Sequence, residues 1–267
     1  MMNKFLLVVI GSVSLYSYPL HAQEASDNLV IAAPSFSLQD EAIRKGTLGI
    51  NFGQLVASIT KAPPVKSEYE TINEFRARVL KWEEKKFYGN IGVGSRVAVI
   101  VPAVLFPLVS SSWTLSTEYD AETEIMTVSM QSVSGCAGVM LRKSEKLKRQ
   151  YVATNGFGVK ANVMLVDEKR ECIEFGETGE LKSADRTLSF KVQRKSAEEI
   201  RYRMHIAIIG RVSTPYAYVE KSHEAPTMRS QVPIEREILT QTLVLDVDSI
   251  WIVNPLSGVV LAKSARD

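Results

Sequence analysis

From Arg96 to Lys263 the apolar residues recur mainly at every second position, in short runs separated by glycine, proline or small polar residues. A two-residue period is the spacing of a half-buried strand, whose successive side chains point to opposite faces. A chain patterned this way must bury one face of a pleated sheet. Turn signals, rather than regularly alternating helices, separate the runs, which favours antiparallel pairing over a parallel α/β sheet. The runs are 96–109, 113–119, 124–133, 151–153, 159–166, 187–193, 204–212, 216–219, 240–246, 249–253 and 259–263. The strongest hairpin signal is the last one. Asn254-Pro255-Leu256-Ser257-Gly258 places proline at a first central turn position and glycine where a left-handed backbone is needed. Between Val97 and Val109 lie two prolines and no charge. That run is shorter than the roughly twenty residues a bilayer span needs, so Pro102 and Pro107 read as strand interruptions. The fold expected is α+β: a mostly antiparallel sheet, closed as a sandwich or half-barrel, with one main amphipathic helix and a few short ones.

That main helix is the stretch 67–86. Ser67-x-x-Glu70 and Thr71-x-x-Glu74 are overlapping capping boxes, in which a hydroxyl and a carboxylate satisfy each other's terminal amides. Ile72, Phe75, Val79 and Trp82 then follow at steps of three or four and share one face. Glu74 stands four before Arg78, the favourable order for an exposed ion pair. The stripe is expected to pack on the sheet; alternatively, Phe75 and Trp82 anchor a partner. The segment Glu70-Thr71-x-x-Glu74-Phe75-x-x-Arg78 resembles the E-T-x-x-E-F-x-x-R helix that precedes a β-rich region in secreted bacterial proteins of unassigned function. The resemblance covers about ten residues and implies no activity, so no functional residue follows from it.

The first 22 residues set the destination. Lys4 gives a positive start, an apolar run follows from Phe5 to Leu15, and Ala22 closes Leu20-His21-Ala22 with a small residue. This is the form of a secretory signal peptide, and the run is short for a membrane span. Residues 1–22 are therefore expected to be cleaved, and the protein to be periplasmic or secreted. Residues 23–64 read as a poorly structured amino-terminal segment ending in the stiff connector Ala62-Pro63-Pro64, and 65–267 as the helix plus β-rich domain. Two cysteines survive cleavage. In an oxidising compartment Cys136 and Cys172 are expected to be joined, which closes a loop worth about 3.8 kcal/mol on the chain-entropy estimate.

Chemistry is sparse. With 32 basic and 30 acidic residues, no global charge draws the chain to nucleic acid or an anionic surface. The basic stretch Arg142, Lys143, Lys146, Lys148, Arg149 reads as a solvated loop or, alternatively, a local anion-binding surface; no aromatics interleave to stack bases. Gly156-Phe157-Gly158-x-x-Ala161 matches a dinucleotide fingerprint by letters, but a strand rather than a helix follows it. Only His205 and His223 outlast the signal, too few for a zinc site of usual spacing, and no metal or cofactor is expected. A hydrolase triad would have to use His205 or His223. The reading that leads is a non-catalytic binding protein whose partner is an unknown protein or envelope component. A homo-oligomeric structural component and an exported hydrolase are the alternatives.

Overall fold

The structure, a computed structural model, describes residues 28–32, 37–43, 50–60, 64–89, 91–102, 113–132, 139–176, 186–227 and 233–264. Its elements in chain order are β1 (Asn28–Ala32), β2 (Ile50–Asn51), α1 (Phe52–Ile59), α2 (Ile72–Glu83), β3 (Lys86–Tyr88), β4 (Ile91–Gly92), β5 (Arg96–Pro102) and β6 (Trp113–Asp120). They continue with β7 (Ile125–Ser132), β8 (Val139–Thr154), β9 (Lys160–Phe175), β10 (Arg186–Lys191), α3 (Arg194–Arg203), β11 (His205–Glu224), β12 (Ile234–Val253) and β13 (Val260–Lys263). The fold is α+β and mainly antiparallel.

The large sheet runs β2, β1, β5, β11, β12, β9, β8, with β13 also on β12. All its pairs are antiparallel except β9 with β12. A second sheet, β10, β7, β6, supplies Met126, Val128, Leu188 and Phe190 to the core that holds Ile206, Ile208, Ile250 and Ile252 of the large sheet. Its outer face is polar, with the hydroxyl pairs Thr127–Ser189 and Ser129–Thr187, both 3.0 Å, across the β7–β10 ladder. The period-two pattern therefore delivers two packed layers. On the other face of the large sheet, Ala98, Ala207, Ile209, Trp251 and Val253 gather with Ile43 into a smaller cluster.

The central strands outrun this body. β11 and β12 are 20 residues each and β8 and β9 are 16 each, so a 20-residue strand reaches about 65 Å before twist and bulges shorten it. β5 covers β11 only as far as Arg211. Beyond it, β8, β9, β12 and the distal half of β11 form a four-stranded blade, and α1 sits over the root. Asn51 caps α1 by accepting from Gln54 N at 2.9 Å, and Phe52, Leu55, Val56 and Ile59 are fully buried.

Four expectations are corrected. The helix stripe does not lie on the sheet: of α2 only Trp82 is buried, against Phe87 and Tyr216 at 4.8 and 5.0 Å, whereas Ile72 is 61% exposed. The capping box at Thr71 forms, but it occupies Glu74, so Arg78 pairs with Glu70 at 2.7 Å instead. Residues 23–64 hold β1, β2 and α1, because α1 carries an apolar face that the blade root needs covered. Residues 142–149 are strand, not loop: Arg142, Lys143 and Lys148 pair with Glu171, Glu168 and Asp167 of β9, so the ladder forms without an apolar period. α3 starts at Arg194 with Gln193 in the cap position. The final hairpin forms as expected, with Gly258 at φ 76 and an added Cβ there only 2.2 Å from the Ile43 carbonyl oxygen.

Candidate functional site

The blade's charge pattern begins in β9. Asp167-Glu168-Lys169-Arg170-Glu171 alternates faces, so Asp167, Lys169 and Glu171 point one way and Glu168 and Arg170 the other. In register, Ser144, Lys169, Leu239 and Lys221 form one row across β8, β9, β12 and β11. Lys146, Asp167, Glu237 and His223 form the next. Three strand spacings make each row about 14 Å wide. Twist turns this surface into a trough of about 570 Å³, with Leu239 on its floor, just outside the cover that α1 provides.

Its acids are already matched. Lys148 lies 3.4 Å from Asp167 and 2.5 Å from Glu237, and the Glu237 bond chiefly holds its ammonium above the usual lysine range. Glu171, buried at the root, takes Arg142 at 2.9 Å and Lys169 at 3.0 Å. Lys146 and Lys221 are exposed and carry no ion pair among the described residues. The trough thus presents two unmatched ammoniums flanking an apolar floor. That arrangement suits an anionic group attached to an apolar body.

Behind the trough, the opposite face is locked by a buried carboxylate. Glu168, with no exposed side-chain surface, meets Arg170 at 2.5 Å and both Lys143 and Arg236 at 3.2 Å. Lys143 also holds Glu145 at 2.8 Å and is the main cause of that carboxyl's lowered pKa.

At the distal end, Glu235 accepts from Tyr151 Oη and from His223 Nε2, the latter at 2.7 Å. A carboxylate only accepts, so Nε2 carries the proton. Glu235 is held below its usual range by Tyr151 first and His223 second, and it pushes the Tyr151 phenol up. The carboxylate is central here, whereas a triad needs the imidazole between acid and nucleophile. The raised phenol is also a poorer source of phenolate. His205, at the start of β11, has its pKa lowered by burial, and no acid pairs with it among the described residues.

The residues singled out from sequence fall in three places. Arg142, Lys143 and Lys148 are spent on structural pairs, while Lys146 borders the trough and Arg149 stacks over Tyr151 at 5.4 Å. Trp82 is buried against Tyr216 at the blade root, and Phe75 is half-buried beneath the Arg78 guanidinium at 5.6 Å. Cys172 is buried in β9 opposite Met140, and Cys136 lies outside the described residues. Sequence reading missed Lys221, His223 and Glu235 as neighbours, because β11 and β12 meet at a register that only the long hairpin sets. The alternating charges of 167–171 facing 142–149 were the available signal. Comparison with family models, with curated proteins and with solved structures found no match.

Proposed function

We propose that the chain is an exported, non-catalytic binding protein of the bacterial cell envelope, periplasmic or secreted, and that the blade's trough is its ligand seat. The observation that carries this reading is the pair of unmatched ammoniums, Lys146 and Lys221, on either side of Leu239 in a surface whose other charges are paired. The partner is a protein or envelope component that presents a carboxylate or phosphate beside an apolar group. Export rests on the amino-terminal 22 residues. No helix among the described residues is long and apolar enough to cross a membrane. A non-catalytic role is favoured by the Tyr151–Glu235–His223 chain, whose order suits positioning rather than nucleophilic attack.

The test is co-purification from the envelope fraction after crosslinking, comparing the native chain with a Lys146→Glu, Lys221→Glu double variant. Both sites are exposed, so the fold should survive. A partner captured by the native chain and lost from the variant is the expected result. Equal capture by both, or none by either, counts against the trough.

A further inference from the structure

The β8–β9 hairpin continues past the end of β12. Met164 N–H donates to the Pro233 carbonyl at 3.0 Å, and from Val152↔Asn162 onward no third strand pairs with it among the described residues. Its turn is built rather than slack. The Asn155 side chain accepts from Phe157 N and Val159 N, both 3.0 Å, and Gly158 supplies the left-handed position at φ 79. This geometry holds Phe157 at the apex, 95% exposed, with Val152 and Val159 more than half exposed below it. A large apolar side chain fixed in water at the end of an ordered ribbon is an unfavourable placement unless something receives it.

The charges that the hairpin itself carries between residues 146 and 166 are of one sign. From Lys146 to Val166 there are four cations, Lys146, Lys148, Arg149 and Lys160, and no acidic residue. Lys148 is bound to acids of the neighbouring strands and Arg149, in one row with Leu165 and Glu235, feels the Glu235 carboxylate, whereas Lys160, opposite Thr154, has no acidic partner among the described residues. The exposed apolar groups do not form one stripe: register places Val152 and Val159 on opposite faces, with Phe157 between them. A protein pocket meets one face of a ribbon. A lipid surface surrounds its tip.

We infer that the β8–β9 hairpin tip docks on an anionic lipid bilayer, with Phe157 entering the headgroup–acyl boundary and Lys160, on the rung next to the turn, facing the lipid phosphates. An apolar wedge beside a cation is an arrangement that interfacial binding uses, and the attraction extends about a Debye length from the surface. The inference is independent of the trough, which lies nearer the body on the same blade.

The amino-terminal apolar run can by itself retain the full chain on vesicles, so the readout must be local. In a Phe157→Trp variant, subtracting the spectrum of the native chain removes the three native tryptophans. With phosphatidylglycerol vesicles the difference emission is expected to shift blue and to be quenched by brominated acyl chains. Pure phosphatidylcholine vesicles should do neither. Adding Lys160→Gln should weaken partitioning by about fivefold, roughly one surface cation's worth. An unshifted difference spectrum with phosphatidylglycerol overturns the inference. So does a shift that is equal in both lipids and indifferent to that glutamine. A shift produced by envelope proteins but not by lipid assigns the tip to a protein pocket and overturns it as well.

Discussion

Replacing Glu168 by Gln should cost the protein far more stability than removing any one of the cations around it. The carboxylate is fully buried, with Arg170 at 2.5 Å and Lys143 and Arg236 at 3.2 Å. At an effective dielectric near 20, one unit pair at that separation is worth about 5 kcal/mol before desolvation. Burying the carboxylate costs several kcal/mol, so the gross attraction is largely offset. Gln keeps the shape and an accepting oxygen but leaves three cations without their common counter-charge. Loss of one partner from a buried pair costs about 3–5 kcal/mol, and the lower end applies because these cations keep 19–29% of their side-chain surface in water. About 3 kcal/mol corresponds to a fall in Tm of roughly 6–12 °C for a domain of this size. Lys143→Met leaves Glu168 with two cations and should cost about 1 kcal/mol or less. Urea unfolding followed by far-ultraviolet circular dichroism measures both. A Glu168→Gln protein within about 0.5 kcal/mol of the native one, or a Lys143→Met protein equally destabilised, would refute the reasoning.

Three further outcomes are expected. Trp82→Ala should cost about 3–4 kcal/mol and raise amide exchange along α2, whereas Ile72→Ala should stay within about 0.5 kcal/mol, because only the carboxyl end of α2 is docked; equal losses would contradict this. Tyr218 is pushed up to about 12 by burial first and the Glu174 carboxylate second. Its native-state pKa is raised, so the stability it contributes is complete below pH 10 and is lost as pH climbs through about 12. Absorbance titration at alkaline pH should show a late phenolate step that Tyr218→Phe removes, and persistence of that step in the variant would refute the assignment. Protein purified without reductant and then denatured should expose no reactive thiol if Cys136 and Cys172 are bonded; two thiols would end that proposal.

What could be read from the chain follows from which residues carry an apolar period. β7 was legible because Met126 and Val128 alternate with Thr127 and Ser129, and the last hairpin because Pro255 and Gly258 sit where a turn needs them. β8 was hidden: of its seven consecutive exposed middle positions six are polar or charged, and it is held by Lys and Arg against Asp and Glu of β9 rather than by burial. α2 was legible as a helix, since Thr71 and Glu74 cap it locally, but its docking was not. Periodicity identifies a face, while what covers that face depends on where the chain's other elements fall. The trough was the least legible feature, because Lys146 and Lys221 come together only through two hairpins and the parallel β9–β12 pair that joins them.

The central claim is that this surface receives a partner. The most direct measurement places a photo-crosslinking residue at position 221, at position 146, or at the exposed turn position 122 between β6 and β7, and irradiates the protein in cells. Discrete adducts at 221 and 146 with none at 122 are expected. Adducts at 122 alone, or no difference among the three positions, would contradict a ligand seat on the blade.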